Sequence, residues 1–152
     1  MKKLNPDYVD IIMSLANGSS YFRHLSMAIT RMDIGESHVE ISLNAMQKQA
    51  FGFIHNGVIA SLVKTACFFS LFSEIDATSM ITTVDLNVNY LKPIQEGRLI
   101  AQGRKINLNR IRGLSETKVL KDGDVVAHGT CSVIVNSDTV ISDRFQLPPK
   151  FL

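Results

Sequence analysis

FGFIHNGVIASLVKTACFFS (residues 51–70) is an almost unbroken apolar stretch that opens on His55-Asn56-Gly57 and carries one full charge, Lys64, in its middle. From Gly57 to Ser73 it reads as a helix of about 17 residues, about 25 Å long at 1.5 Å per residue. The helix is apolar nearly all round and is therefore expected to be buried on most sides. The exception is a narrow stripe: Gly57, Ser61 and Lys64 share one face at i, i+4, i+7 spacing, and this face is the expected wall of a cleft. A lone ammonium on such a helix is costly unless it is paired or faces a cleft. Three readings of Lys64 stay open. It is a structural salt bridge (to a neighbouring subunit, for example), a ligand-binding cation, or an amine whose pKa burial has depressed.

Upstream, Asn5 can cap a first helix with Pro6 at its first position, and Asp7 and Asp10 suit the positive end of the dipole. Ile11, Ile12 and Leu15 supply its apolar face, and Gly18 ends it. Two strand-like runs follow, from about His24 to Met32 and over HVEISLN (38–44). In the second, Val39, Ile41 and Leu43 alternate with His38, Glu40 and Ser42. Asp33 to Glu36 between them reads as a hairpin turn with Gly35. After the long helix the chain is rich in strands. In TTVDLNVNYL (82–91), Val84, Leu86, Val88 and Tyr90 alternate with Thr83, Asp85, Asn87 and Asn89. Pro93 and Gly97 turn the chain into runs at 98–108 and 112–120, and Asp122-Gly123 is a hairpin signal before 124–135. The order of elements predicts an α+β fold, an antiparallel sheet with one hydrophobic helix against its apolar face. Residues 1–136 are expected to form a single domain, and the tail 137–152, with Pro148-Pro149, is expected to be irregular.

With 152 residues the chain is long enough for one domain with a real core. Apolar residues make up 45% and charged residues only 20%, which points to surface buried against a partner. A net charge of +2 without any Lys/Arg run speaks against nucleic acid. Cys67 and Cys131 lie far apart, without C-x-x-C or Cys/His ligand spacing. They read as buried thiols in a reducing cytosol rather than as a disulfide or metal site. The start, MKKLNPDYVDIIMS, soon carries Asp7 and Asp10 and lacks a cleavage site, so no signal peptide is expected. Lys64 keeps the apolar helix short of an uncharged span of about 18 residues, so no membrane crossing is expected either. The expected location is the cytoplasm.

Three stretches carry a resemblance to a known family: FGFIHNGVIASLVKTA, TVDLNVNYLKP (83–93) and DGDVVAHGTC (122–131). Over residues 38–135 the chain resembles the PaaI-like branch of the hotdog-fold acyl-CoA thioesterases. The resemblance implies a curved antiparallel sheet wrapped around one long central helix. It also implies a homodimer, often a homotetramer, with an acyl-CoA site at each subunit interface. Coenzyme A would enter as part of the substrate, with no other cofactor. In such sites the thioester carbonyl points at the N-terminus of the central helix, where backbone N–H groups and the dipole stabilise the oxyanion. That role falls to Asn56, with Gly57 starting the helix. His55 matches the histidine that shapes this turn. Gln49 stands where relatives carry an Asn or Gln that positions water or the carbonyl, and Thr83 matches a Ser or Thr at the far wall.

Two departures stand out. Asn56 replaces the middle residue of a His-Gly-Gly motif, and Asn tolerates a left-handed backbone better than most residues. Lys64 stands where relatives place the Asp or Glu that acts as general base or nucleophile. A lysine cannot do that work near neutral pH unless burial depresses its pKa by several units.

Plainer readings stand beside these. His55 could simply cap the helix, Asn56-Gly57 could be an ordinary turn, and Thr83 could serve only as a strand former. Asp85, on the polar face of its strand, is expected to be solvated or intersubunit, and His128 to end a strand. Arg104, Arg110 and Arg112, clustered around a strand turn, are either solvated hairpin charge or a cradle for the phosphates of coenzyme A, with Lys92 assisting. Ser61, on the same stripe as Lys64, is grouped with these candidate substrate contacts. The leading expectation is hydrolysis of an acyl-CoA thioester, and the alternative is a non-catalytic acyl-CoA binder or sensor. A dehydratase would need a His and a carboxylate in one cleft, and the central helix offers no carboxylate before Glu74.

Overall fold

The computed structural model describes residues 2–137 and 142–152. The first helix, α1 (Pro6–Asn17), starts as the sequence predicts: the Asn5 side chain accepts the Asp7 N–H at 3.1 Å and Pro6 occupies the first turn. Its buried face differs in part. Tyr8 and Ile12 are buried, whereas Ile11 and Leu15 stay exposed. A short helix, α2 (Ser20–His24), then occupies the start of the expected first strand. Strand β1 (Met27–Asp33) begins only after Ser26, which takes a positive φ of 54°. It forms a hairpin with β2 (Glu36–Ser42) through Gly35 at φ 73°. A Cβ at Gly35 would also lie 2.7 Å from Glu74 Oε1, so glycine is needed there twice over.

The long helix is α3 (Asn56–Phe72), one residue earlier at its start than the sequence indicates and capped at its end by Ser73. The strands after it are β3 (Met80–Tyr90), β4 (Arg98–Leu108), β5 (Arg112–Lys121) and β6 (Asp124–Asn136). All pairings are antiparallel, in the order β1-β2-β4-β5-β6-β3. Leu62, Val63, Ala66, Cys67 and Leu71 of α3 are fully buried, as are Val39, Ile41, Leu99, Ala101, Val119 and Cys131 of the sheet. The approach is close. A side chain at Gly103 would collide with the Ala66 carbonyl, which instead accepts the Ser37 hydroxyl at 2.6 Å.

The two sheet edges differ. The β1 edge is covered by α1 and α2, whereas β3 is bare on its outer side. A bulge between Thr83 and Asp85 breaks the simple alternation of β3. Thr83 pairs with Val133, Leu86 with Cys131, Val88 with Gly129 and Tyr90 with Ala127. Thr83 therefore joins the apolar face of β3 from which period two excluded it, while Asp85, opposite Ser132, stays on the polar face. Val84 and Leu91, at 55% and 56% exposure, and Leu86 and Tyr90 leave this edge apolar and open.

The C-terminal tail is not irregular throughout. It contains a short helix, α4 (Ser142–Phe145), and its end docks on the N-terminus. Phe151 bridges Leu4, the Asn5 N–H donates to Lys150 O at 2.9 Å, and Leu152 N–H donates to Lys3 O at 3.0 Å. Lys150 is 2% exposed, and its ammonium donates to Phe72 O at 2.5 Å and Ile75 O at 2.7 Å. Phe72 O is a carbonyl that the end of α3 leaves without a helical partner, and Ile75 O belongs to the turn just beyond it. Residues 138–141 of the expected tail lie outside the described residues.

Candidate active site

The N-terminus of α3 is held by a chain of local caps. In the 3₁₀ turn Ala45–Gln47, Asn44 Oδ1 accepts the Met46 N–H at 3.0 Å and Gln47 Oε1 accepts the Asn44 N–H at 2.9 Å. Gln47 is buried and donates to Leu25 O at 2.7 Å; its own carbonyl accepts the His55 N–H at 2.9 Å. Lys48 and Ile54 pair across a tight loop that leaves Phe51 85% exposed at its tip, with Gly52 at φ 89°. Within this loop Gln49 Oε1 accepts the Phe51 N–H.

His55 is the N-cap, with φ −62° and ψ 133°, and its Nδ1 accepts the Gly57 N–H at 2.8 Å. The plain capping reading of His55 is thus realised. Nδ1 acts as an acceptor, which in the neutral ring leaves the proton on Nε2. A Cβ at position 57 would lie 2.9 Å from Nδ1, so the cap requires glycine there. Because His55 takes the Gly57 N–H, the donor left over is that of Asn56, which has no partner among the described residues. Asn56 is the first helical residue and its φ is not positive, so no left-handed turn has to be tolerated. Beside it lies an open cavity of about 460 Å³ whose lining includes Gln49, Phe51, His55, Asn56, Ile59 and Lys92. The Lys92 ammonium reaches the Asp124 carboxylate at 3.5 Å, in an exposed pair.

A second group lies further along α3. Position 64 is two turns, about 12 Å, beyond Asn56. Lys64 is half-buried, with its Nζ 4.6 Å from the centre of the Phe68 ring. Among the described residues no carboxylate pairs with it, and loss of solvent lowers its pKa. Thr83 and Cys131 belong to the same neighbourhood: the Cys131 thiol lies 3.8 Å from Thr83 Oγ1. Cys67 and Cys131 are free and buried, as the sequence predicts, and contact one another. A hydrogen bond from Cys67 holds the Cys131 thiol below its ordinary range against the opposing effect of burial, and Thr83 and the charge of Lys64 assist. Ser61 donates to Gly57 O at 2.9 Å, so in its 2.6 Å contact with Tyr21 it acts as the acceptor. Tyr21 sits on α2, an element the sequence did not announce, and no local signal marked it as a neighbour of the stripe.

The arginines are not brought together. Gly103 and Ala101 face α3, so Arg104 lies on the opposite face of the sheet. There it pairs with Glu116 at 2.5 Å, and Glu116 meets His128 at 3.2 Å. Arg104 first, and His128 second, hold the Glu116 carboxyl below its usual range. His128 lies in mid-strand, between Asn89 and Lys118, and not at a strand end. Arg110 borders a separate groove with Glu74 and Asp76, and Arg112 sits opposite Ile134. Arg112, next to the inward Gly113, shares the outer face with Arg104 but lies four residues along β5 from Glu116, the partner of Arg104. Of the four expected cations only Lys92 lines the cavity at Asn56. Among the described residues no three His, Cys, Asp or Glu side chains gather into a metal-binding group, and no helix is long and apolar enough to cross a membrane.

The family model of the thioesterase superfamily matches residues 51–131, and the chain belongs to that superfamily. It is 24% identical over 104 residues to the proofreading thioesterase EntH of Klebsiella pneumoniae, covering 66% of this chain and 76% of that protein. It is 20% identical over 112 residues to a 1,4-dihydroxy-2-naphthoyl-CoA hydrolase of Listeria monocytogenes, covering 73% and 91%. The fold is the hotdog fold. A thioesterase crystal structure from Haemophilus influenzae superposes with a TM-score of 0.81 at 19% identity, over 90% of this chain and 96% of that one. The phenylacetic acid degradation protein PaaI of Thermus thermophilus, in a mutant structure, superposes with a TM-score of 0.69 at 20% identity, over 76% and 98%. The chain thus falls in the hotdog thioesterases, with PaaI among its structural neighbours.

Proposed function

We propose that this protein hydrolyses an acyl-CoA thioester at an interface between two copies of the chain. The observation that carries the reading is the Asn56 N–H at the positive end of α3, without a partner among the described residues, on a residue that lines the 460 Å³ cavity. A thioester carbonyl that accepts this N–H gains most as its oxygen becomes an oxyanion. Gln49, at the cavity beside Asn56, orients the attacking water, and further along α3 Thr83 and Lys64, the latter in place of the family carboxylate, contact the substrate. Membership of the thioesterase superfamily and the similarity to a CoA-thioester hydrolase support the substrate class. Coenzyme A is then part of the substrate, and no further cofactor is needed. The apolar edge of β3, bare among the described residues, and the half-open stripe of α3 support a homodimer, with a homotetramer as the larger assembly; the cytoplasm is proposed as its location on the sequence reading alone.

A second reading, a non-catalytic acyl-CoA binder, is favoured by one observation. The stripe of α3 holds no carboxylate, His55 Nδ1 is occupied by its cap, and Asp85 faces away. A hydrolysis screen with short, long and aryl acyl-CoAs separates the two. Asn56→Pro tests the site itself. Proline suits the first helical position, and the extended backbone of His55 suits the residue before a proline, so the substitution deletes the N–H while keeping the helix. The expected result is a fall of about 10²–10³-fold in kcat with an unchanged circular dichroism spectrum. Full activity in Asn56→Pro removes Asn56 from the mechanism, and a monomer mass by light scattering at micromolar concentration removes the interface site.

A further inference from the structure

We infer that the acyl group this protein selects carries a carboxylate, and that Lys64 is the residue that recognises it. The inference rests on the reading of the cleft as an acyl-CoA site and adds a substrate class to it. An ammonium has three donors and no acceptor. Elsewhere in the chain comparable buried or half-buried cations are engaged: Lys105 pairs with Glu74 at 2.6 Å, and Lys150 donates to two carbonyls. Among the described residues Lys64 has only the face of Phe68, which attracts the cation but uses none of its donors. Cys131 lies close enough for its charge to act on the amine, and Ser61, one turn back on the same stripe, is paired with Tyr21. None is a carboxylate, and the two hydroxyls of the pair are committed to one another and to Gly57 O. The ammonium therefore stands on the cleft face of α3 with its donors unspent.

Two effects of opposite sign follow. A plain alkyl or aryl acyl group packed on this face strips the remaining water from the ammonium and returns nothing for it. A carboxylate in the same place restores the lost hydrogen bonds with charge-assisted ones. Selectivity thus comes from attraction to the anionic acyl group and from a penalty on the neutral one. The carboxylate that relatives place at this position would repel such a substrate, so the exchange to Lys64 inverts the preference of the cleft.

The test compares octanoyl-CoA with suberyl-CoA, which share eight acyl carbons, long enough to reach from Asn56 towards Lys64, and differ by a terminal carboxylate in place of a methyl group. Binding of their non-hydrolysable dethia analogues is measured by calorimetry at pH 6, below the value of about 7 to which the Cys131 thiol is lowered. Wild type is expected to bind the suberyl analogue about tenfold or more tightly than the octanoyl one. Lys64→Met is expected to lose that ratio or reverse it, and Lys64→Arg to keep it. Equal binding in wild type, or a ratio that survives Lys64→Met, overturns the inference; the former is also the result if a carboxylate of a second copy already pairs with Lys64. Should Lys64→Met fail to fold, Lys64→Gln and the wild-type ratio still decide. If neither analogue nor free coenzyme A binds at all, the acyl-CoA reading itself fails, a result distinct from binding without preference.

Discussion

The middle of α3 and its C-terminal end each hold a lysine out of bulk water, and the two sites treat it differently. Lys150 is drawn from the far end of the chain into a pocket of Tyr8, Phe72 and Phe151, and its donors meet two carbonyls at the end of the helix. Lys64 loses solvent as well, yet it meets one aromatic face and no acceptor. Burial pushes both pKa values down, that of Lys150 to about 7. The shared shift therefore does not tell the two apart; the partners do. The first cation is consumed in closing the fold, as a cap on the negative end of the helix dipole. The second is held in place and left unspent, which is the condition of a group kept for a ligand.

The largest effect expected from breaking this contrast is on activity. Lys64→Asp puts a carboxylate where the family resemblance implies one, and a positioned base is worth about 10²–10⁴-fold, so on the proposed mechanism kcat on an unsubstituted acyl-CoA should rise by that order. If wild type hydrolyses acyl-CoA well and Lys64→Asp abolishes turnover without unfolding, Lys64 itself is catalytic and the contrast is misjudged.

Next comes stability. Lys150→Met keeps the aliphatic volume but orphans Phe72 O and Ile75 O, at about 1–3 kcal/mol for each buried acceptor. Together that is about 2–6 kcal/mol, and at about 2–4 °C per kcal/mol for a chain of this size a fall in Tm of roughly 4–24 °C is expected in thermal denaturation. Lys64→Met, which orphans nothing, should shift Tm by less than about 2 °C. Equal losses for the two variants would mean that Lys64 is as structural as Lys150.

The pH dependence sharpens the same point. The free amine of Lys150 titrates at 10.5 and the folded one at about 7. Between those values the unfolded chain binds a proton that the folded chain does not, so this group makes stability rise with pH across the window from about 7 to 10.5. Below about 7 both states are protonated and the slope vanishes. The nearby charges act in opposite directions, Lys2 lowering and Asp76 raising the pKa. Urea unfolding of wild type should therefore gain on that of Lys150→Met between pH 7 and pH 10. A constant difference would show that the buried amine keeps its proton, its two carbonyls outweighing desolvation.

The smallest effect concerns the sheet's outer face. Arg104→Ala removes one exposed partner of Glu116, worth about 0–1 kcal/mol, and should leave the KM for acyl-CoA unchanged because the pair lies away from the α3 cavity. A raised KM would restore the arginine to the phosphate cradle that the sequence suggested.

Much of the architecture was legible beforehand because it is written in local periods and caps. Asn5-Pro6, the alternation of Val39 and Ile41, and the unbroken apolar run of α3 each act over a few residues. The stripe of Gly57, Ser61 and Lys64 followed from helical spacing alone, and Lys64 and Thr83 each act on the Cys131 thiol. Period two misplaced Thr83 relative to its strand neighbours, since the β3 bulge shifts the register by one residue and alternation assumes no such shift.

What the sequence by itself determined is the hotdog class, the long buried helix, the thioesterase kinship of residues 51–131 and the lone charge of Lys64 in the middle of that helix. The tertiary structure decided which N–H at the head of α3 stays free, which hydroxyl meets Ser61, how the arginines scatter and that Lys150 is a core residue. Lys150 meets Phe72 across 78 positions and Tyr21 meets Ser61 across 40. Such partners leave no mark in the pattern around either residue, because they are chosen by how the finished elements pack and not by the preferences of the chain on either side.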